Sequence, residues 1–363
     1  MAALSQPRIA ISWNGLPQYA ARQIRAAIDQ IGEPCIVVGS KPEVPVAGME
    51  AALRCPVNWV KANEPVTWQA IGHKVPKIYI QSGWSYPAFS SLGAEVKANG
   101  GRVIGLSDAN WRGDFRQLVL GAIGFRVQHG SRFDAMIVPG QQGRRLMRWF
   151  GVPDDTIQCG MYGADPTVFH GGKPLAERPK TILFVGQLIP RKDVLGLACA
   201  FLRLVESHPE WTLRICGSGE QKALIPVHPR IIVEDFVQPE QLAARFHDAR
   251  FFVLPSLSEA WGLVVHEAAL CGCALLLSDQ IGSADDLATP QNAIRFKARN
   301  ETSLLAAINQ ATTWDGGQLA AAEAMSRRLA APFGPDRFGR EVANLVTRFS
   351  THSSQSQETR PPC

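Results

Sequence analysis

Two carboxylates and two cations are the side chains of this sequence best suited to chemistry. Glu259 and Glu267 are separated by seven residues in Pro255-Ser-Leu-Ser-Glu259-Ala-Trp261-Gly262-Leu263-Val264-Val-His-Glu267-Ala-Ala-Leu-Cys-Gly272. The Trp-Gly pair lets the backbone bend, and residues 263–270 then read as a short helix whose first N–H groups are free to face an anion. Glu267, one turn in, projects on the side of the helix start and can accept hydrogen bonds from vicinal hydroxyls. Arg191 and Lys192 stand in Gly186-Gln187-Leu-Ile-Pro-Arg191-Lys192-Asp, directly after a strand-like run. Two cations at that place can neutralise a diphosphate. Acids for hydroxyls, with cations and a helix start for phosphates, are the means to hold a sugar nucleotide.

Further segments add to this chemistry. Cys216-Gly217-Ser-Gly219-Glu220 is a Gly-rich turn after a strand, and Phe236-Val237-Gln238 follows another strand-like run. Ser12-Trp-Asn-Gly15-Leu-Pro connects the first strand to a helix without forming G-x-G-x-x-G, which disfavours a nicotinamide-type site, and no G-x4-G-K-[ST] is present. Gln81, Ser82 and Trp84 could bind sugar by hydrogen bonding and ring stacking, or serve as buried structural residues. Asp108, Asn110 and Trp111 form a second polar and aromatic group that could line an acceptor cleft. Residues 140–150 read as a short basic helix that either packs its Leu, Trp and Phe inward or touches a membrane.

These motifs need a frame, and the pattern of the chain supplies one. Strand-like and helix-like segments alternate from residue 8 to 139 and again from 181 to 277, the signature of two doubly wound parallel sheets with crossover helices. Two Gly and two Pro in His170-Gly-Gly-Lys-Pro-Leu-Ala-Glu-Arg-Pro179 make a linker, placing the boundary near residue 175. The expected organisation is an N-terminal domain over 1–172, a nucleotide-sugar domain over 178–330, a Pro-started helix over 334–350 and a disordered tail over 351–363.

Composition bounds the rest. The 363 residues suffice for two domains, and 46% apolar against 19% charged residues describe a soluble globular protein. No run of about 18 apolar residues and no signal-peptide pattern occurs, which points to the cytoplasm. The eight cysteines show no C-x2-C pair and no His at metal spacing, so they read as buried thiols in a reducing compartment. Residues 1–175 hold 18 Lys and Arg against 12 Asp and Glu, net +6, and residues 176–363 hold 19 against 20, net −1. The basic half favours an anionic partner, a phosphate-bearing acceptor or an acidic membrane surface, or is a solvated face. Nucleic acid is not expected, because no aromatic-basic stripe accompanies the charge.

The Glu259 to Glu267 segment, with the apolar strand before it and Cys271-Gly-Cys-Ala-Leu-Leu-Leu-Ser278 after it, resembles the E-x7-E region of the retaining family-four glycosyltransferases. Gly186 to Lys192 is similar to that family's G-R-x4-K segment, with Gln187 at the Arg position and Arg191 as an extra cation. Met161-Tyr-Gly-Ala-Asp165-Pro-Thr-Val-Phe169 is close to its N-G-x-D-x-x-x-F turn, and only Gly15 remains of its usual Gly-Gly loop. Around Gln81, where the family often has a His for the transferred sugar, this chain has none.

The resemblance implies an α/β fold of GT-B type, two Rossmann-like domains with a C-terminal helix returning to the first and a cleft between them. It implies glycosyl transfer with retention from a nucleotide-diphosphate sugar to a saccharide or lipid-linked acceptor, as in bacterial cell-surface polysaccharide or glycolipid synthesis. Lys192 and Arg191, with the helix start at Leu263 and Val264, would stabilise the departing diphosphate. Glu259 would hold the donor sugar and Glu267 the ribose, with Gly15, Gln187, Gly217, Gly219, Trp261 and Gly262 bordering the nucleotide and the backbone of Phe236 and Val237 touching the base. Same-face attack, with a phosphate oxygen taking the acceptor proton, needs no protein base. No D-x-D stands at a strand end, so neither metal nor cofactor is expected. Membrane contact, if any, would be peripheral and through the basic N-terminal half. The alternatives are a GT-B epimerase or phosphorylase and a non-catalytic sugar-nucleotide-binding protein, since fold does not fix reaction.

Overall fold

The computed structural model describes residues 7–41 and 49–358. The chain divides into two compact units, one formed by Met1–Gly163 and Phe333–Cys363, the other by Ala164–Pro332.

The first unit is built on seven parallel strands: β1 (Ile9–Trp13), β2 (Cys35–Gly39), β3 (Val57–Trp59), β4 (Ile78–Ser82), β5 (Arg102–Leu106), β6 (Ala135–Val138) and β7 (Ile157–Cys159), in the order β3-β2-β1-β4-β5-β6-β7. Its helices are α1 (Gln18–Ile31), α2 (Met49–Leu53), α3 (Pro87–Ala98), α4 (Ala122–His129) and α5 (Gln141–Trp149). Every residue of β1 and β4 is buried, as a parallel sheet covered on both faces requires. On one face Ala20, Ala21, Ile24 and Ala27 of α1 join Ile9, Ile11 and Ile80 in a core cluster.

The second unit has six parallel strands: β8 (Thr181–Val185), β9 (Thr212–Cys216), β10 (Ile231–Glu234), β11 (Phe251–Leu254), β12 (Ala274–Ser278) and β13 (Ala293–Phe296), ordered β10-β9-β8-β11-β12-β13. Between and after them run α6 (Val194–Val205), α7 (Pro239–His247), α8 (Leu263–Leu270), α9 (Ala284–Leu287), α10 (Glu301–Thr312) and α11 (Gly316–Ala330). The order of strands reverses direction between β8 and β11, as it does between β1 and β4 in the first sheet. Neighbouring strands at such a switch send their following loops to opposite sides, and the gap left beyond their carboxyl ends is where open α/β sheets bind ligands.

Three sequence expectations need correction. The helix expected over 334–350 is α12 (Pro335–Glu358), whose helical backbone continues through the part of the tail read as disordered; residues 359–363 lie outside the described residues. It belongs to the first unit, where Phe338, Val342, Leu345 and Val346 complete the cluster around α1. Gly339 permits the approach, since a Cβ there would meet the Ala26 carbonyl oxygen at 2.8 Å. Second, residues 164–172 go with the second unit rather than the first. The Ala164 N–H donates to His266 Nδ1 at 2.8 Å and Phe169 packs edge-on against Phe246, so the chain is fastened there before the Gly-Pro linker begins. Third, the thiols are not uniformly buried: Cys159, Cys216, Cys271 and Cys273 are, Cys35 and Cys55 are partly open, and Cys199 is exposed on α6.

Candidate active site

The loops that follow β8 and β11 meet at the switch point of the second sheet. The Leu257 N–H donates to the Arg191 carbonyl at 2.8 Å, joining the two loops through their backbones. Glu259 is held in place from the other side: its N–H donates to Gln280 and its carbonyl accepts from Gly282, both at 3.0 Å. The Glu259 carboxylate then receives both cations. Lys192 Nζ bonds Glu259 Oε2 closely, and Arg191 Nη1 reaches the same oxygen at 3.2 Å while also donating to the Ser258 carbonyl at 2.8 Å. The side chains of Lys192 and Glu259 are 10% and 15% exposed and that of Arg191 is 45% exposed. Lys192 is therefore the desolvated charge and Arg191 the one at the mouth.

Gly262 turns the chain from this cluster into α8 with φ +81, a left-handed value in which a side chain is strained. Trp261 beside it is buried, and its carbonyl accepts from the Ser283 N–H at 3.1 Å. The turn leaves the first N–H groups of α8, those of Leu263 and Val264, without a partner among the described residues, directly after the Arg191–Glu259–Lys192 cluster. Partial positive charge at a helix start adds to the two side-chain cations, giving a site shaped for phosphate.

Glu267 sits one turn further along α8, with only part of its surface open. Its carboxyl has no hydrogen bond or ion pair among the described residues, and burial pushes it up to about 7. His266 next to it is fully buried and structural. Its Nδ1 accepts from Ala164, so Nε2 carries the proton and donates to the Ala330 carbonyl at 3.0 Å, and burial pushes the imidazole down to about 4. Arg178, from the linker, is buried behind the helix. It donates to the carbonyls of Phe246 (3.0 Å), Ala249 (3.3 Å) and Cys271 (2.8 Å), closing the exposed ends of α7 and α8. Neither residue was singled out in the sequence, where His266 stands beside Glu267 and Arg178 between Glu177 and Pro179-Lys180.

The Gly-rich turn after β9 is pressed against the loop after β8. A Cβ on Gly217 would meet the Gly186 carbonyl oxygen at 1.9 Å, and one on Gly219 the Leu188 carbonyl oxygen at 2.4 Å. Both glycines are there because two backbones touch, and the Leu188 N–H to Ser218 O bond of 2.9 Å closes the contact. Gln187, between these loops, is exposed. Phe236 is 63% exposed just beyond β10, whose last residue Glu234 accepts from the Gly217 N–H at 3.0 Å, so the end of the strand that leads to Phe236 and Val237 is bonded to the glycine turn.

In the first unit the sequence candidates separate. Gln81 is fully buried, donates to the Gly83 carbonyl at 2.8 Å and faces Gly93 of α3, so it cannot reach a ligand. Ser82 is buried and its Oγ accepts from the Asn14 N–H at 3.1 Å. Trp84 packs edge-on against Phe125 at 5.2 Å and joins an apolar cluster instead of presenting a face to a sugar. Gly15 bends with φ +59, but its N–H is spent on Ser40 Oγ at 2.7 Å. These serines tie together the loops after β1, β2 and β4. Asp108, by contrast, is exposed at the carboxyl end of β5 and accepts from the Tyr162 hydroxyl at 3.3 Å. Tyr162 and its neighbour Tyr19 are pushed upward by burial, Tyr19 to about 12, so both hydroxyls remain donors. Asn110 stays partly open beside Asp108 while its carbonyl accepts from Gln117 Nε2 at 2.6 Å. Among the described residues, no group of three or more His, Cys, Asp or Glu could hold a metal ion.

Two Rossmann-like units, each built on a parallel sheet with a switch in strand order, define the GT-B class. Solved structures share the fold over most of this chain. Sucrose-phosphate synthase from Thermosynechococcus elongatus superposes with a TM-score of 0.68 at 17% identity, covering 96% of this chain and 100% of its own. Anabaena HepE in complex with UDP-glucose gives 0.69 at 15% identity, covering 94% and 99%. Residues 168–327 match the model of the glycosyl transferases group 1 family. Among curated relatives, the glycogen synthase of Mycobacterium tuberculosis is 31% identical over 197 residues, which is 51% of this chain and 48% of the relative. The D-inositol 3-phosphate glycosyltransferase of Nocardia farcinica is 31% identical over 163 residues, 38% and 36% of the two chains. The chain thus spans about half the length, or less, of these relatives.

Proposed function

We propose that this protein is a retaining glycosyltransferase that moves a sugar from a nucleotide-diphosphate donor to a saccharide or lipid-linked acceptor. One observation carries the reading: Lys192 and Arg191 converge on Glu259 beside the unpartnered N–H groups of α8, at the switch point of the second sheet. In the ligand-free protein Glu259 pairs with both cations and leaves the cluster one positive charge in excess, so Lys192 is held in position without a phosphate. An arriving diphosphate competes for the two cations, which frees Glu259 Oε2 to accept hydrogen bonds from the hydroxyls of the donor sugar. As the glycosidic bond to the phosphate breaks, charge grows on the leaving oxygens, and the fixed cations and helix dipole stabilise that charge more than they stabilise the bound donor.

Glu267, with no hydrogen-bond or ion-pair partner among the described residues, takes the ribose hydroxyls. The Gly217 and Gly219 turn lets the backbone come close to the nucleotide, and Phe236 and Val237 border the base. Asp108 and Asn110, the accessible pair in the first unit, serve the acceptor. The attacking hydroxyl passes its proton to a phosphate oxygen on the same face, so no protein base is needed, and the two cations with the start of α8 do for the diphosphate what a metal ion would otherwise do. Synthesis of cell-surface polysaccharide or glycolipid suits such an enzyme, working in the cytoplasm or at the inner face of the membrane; among the described residues no helix is long and apolar enough to cross one.

UDP-sugars come first among donors to try, because HepE, a neighbour in fold, is solved with UDP-glucose. A thermal-shift panel of nucleotide sugars tests the reading. The true donor raises the melting temperature by mass action, about 3 kcal/mol at a hundredfold excess over its Kd. A panel in which no nucleotide sugar shifts the transition, free UDP included, sinks the assignment. Product analysis with and without acceptor then separates transfer from epimerisation or phosphorolysis.

A further inference from the structure

Four of the large apolar side chains that the described residues of the first unit expose to solvent lie in a stripe along one helix. The chain is helical from Phe115, through a π-helical stretch (Arg116–Gly121), into α4. Phe115 is 75% exposed, Leu120 60%, Ile123 56% and Val127 79%. In a regular α-helix residues five apart point about 140° away from each other. The i→i+5 bonding of the π stretch rotates Phe115 back into line with Leu120, and the α-helical spacings of three and four then carry the line on to Ile123 and Val127. The opposite side, Gln117, Ala122 and Phe125, is buried. The extra residue of the π turn therefore serves the outward face as well as the inward one: it collects four large apolar side chains that burial does not need.

Charge surrounds the stripe. Residues 109–155 contain seven Arg, no Lys and no Glu, and four Asp, a net of +3 from 7 − 4. The aspartates are engaged: Asp154 with Arg144 and Arg148, and Asp155 with Arg348. Asp114 pairs with Arg112 at 3.1 Å and caps the helix through Gln117 N at 2.8 Å, and Asp134 is held by Lys97 and Arg102. Arg116 stands exposed inside the stripe's own helix. Trp149 of α5 is 47% exposed, and its indole N–H donates to the Leu118 carbonyl at 2.8 Å, which lays the ring beside the stripe. Arg145 stacks on Trp111, 4.1 Å from the ring centroid, and Trp111 meets Trp149 edge-on. Aliphatic and aromatic side chains in a line, tryptophan at their edge and arginines around them are the features that bind the interface of an anionic bilayer, where apolar insertion and phosphate attraction each supply part of the affinity.

We propose that the Phe115, Leu120, Ile123 and Val127 stripe, with Arg116, Arg145 and Trp149, docks this protein on the surface of an anionic lipid bilayer. The Gln117 side chain, which holds the Asn110 carbonyl and the Arg112 N–H, links the docking helix to the loop that carries Asp108. A docked helix thus sets that loop against the headgroups, where a lipid-linked acceptor would present its polar end. This last step rests on the proposed transfer reaction; the docking itself does not.

The test is flotation of the full chain with vesicles, in the absence of donor and acceptor, so its outcome is independent of enzymatic activity. Binding is expected to vesicles of phosphatidylcholine mixed with phosphatidylglycerol, weakening with salt, and to be slight with phosphatidylcholine alone. Leu120→Ser/Ile123→Ser should lower the partition coefficient about tenfold or more, and Arg116→Glu about fivefold or more, with melting curves unchanged because these side chains face water. Equal binding to both vesicle types, no binding to either, or full binding by the Ser variant would overturn the proposal. So would a concentration-dependent dimer without vesicles that the Ser variant dissolves, which would assign the stripe to a second copy of this chain.

Discussion

Replacing Glu267 by Gln should make the ligand-free protein more stable at high pH while weakening its hold on a donor. The carboxyl is raised from its ordinary 4.5 to about 7, with burial as the cause. Below the unfolded value the group is neutral in both states and costs nothing. As pH rises, the unfolded chain loses the proton first, so stability falls until the folded carboxyl also ionises near 7 and stays level thereafter. A shift of that size corresponds to about 3 kcal/mol, a ceiling because water reaches part of the side chain, and most of it develops between pH 5 and 8. His266 works in the opposite sense: its imidazole, pushed down to about 4, adds stability as pH rises toward 6.5. The two slopes oppose each other in the wild-type curve, so the informative quantity is the difference between wild type and Glu267→Gln. Denaturation at several pH values should show that difference moving in favour of the variant by up to about 3 kcal/mol from pH 5 to 8, roughly 5–10 °C in melting temperature for a domain of this size. Donor affinity of the wild type should meanwhile rise with pH up to about 7, because ribose hydroxyls bind the carboxylate and expel its proton. A pH-independent difference between the two proteins would refute the reasoning, since it would mean that Glu267 ionises as an ordinary surface acid.

Other outcomes follow from the same geometry. Gly219→Ala places a Cβ 2.4 Å from the Leu188 carbonyl oxygen, a backbone atom that cannot step aside, and should cost about 1–3 kcal/mol of stability together with most of the donor-induced thermal shift. Arg191→Ala should slow transfer less than loss of Lys192 does, because Arg191 is the more solvated cation, and Gln187→Arg added to that variant should recover part of the rate. An unchanged rate in Arg191→Ala would show that Lys192 and the start of α8 suffice for the leaving group.

Much of the second unit was legible because its signals are local. A strand, a glycine, two cations and a short helix with acids at fixed offsets appear in the sequence in the order in which they meet in space, and α8 (Leu263–Leu270) has the bounds its pattern implies. The strands β3, β7 and β13 were not seen, being three or four residues long at sheet edges, too short for a periodic signal. In the first unit, local chemistry could not choose between ligand binding and a buried structural role. Gln81 and Trp84 have types that bind sugars, yet the close approach of α3 at Gly93 and the apolar cluster around Phe125 turn both inward, and those contacts are made across the sequence. Tyr162 could not be connected to Asp108, 54 residues earlier, without the sheet that brings them together. The tail was read as disordered because it is polar and ends in Pro, but α12 carries the first part of it onward as helix.

The central claim is that Lys192, fixed by Glu259 at the switch point, stabilises the departing diphosphate. The most direct measurement is the transfer rate at saturating donor for Lys192→Met, which keeps the packing of the buried stem and removes the charge. The predicted result is a fall in kcat of about a hundredfold to a thousandfold with the melting curve preserved. A folded Lys192→Met protein that transfers sugar at the wild-type rate would contradict it.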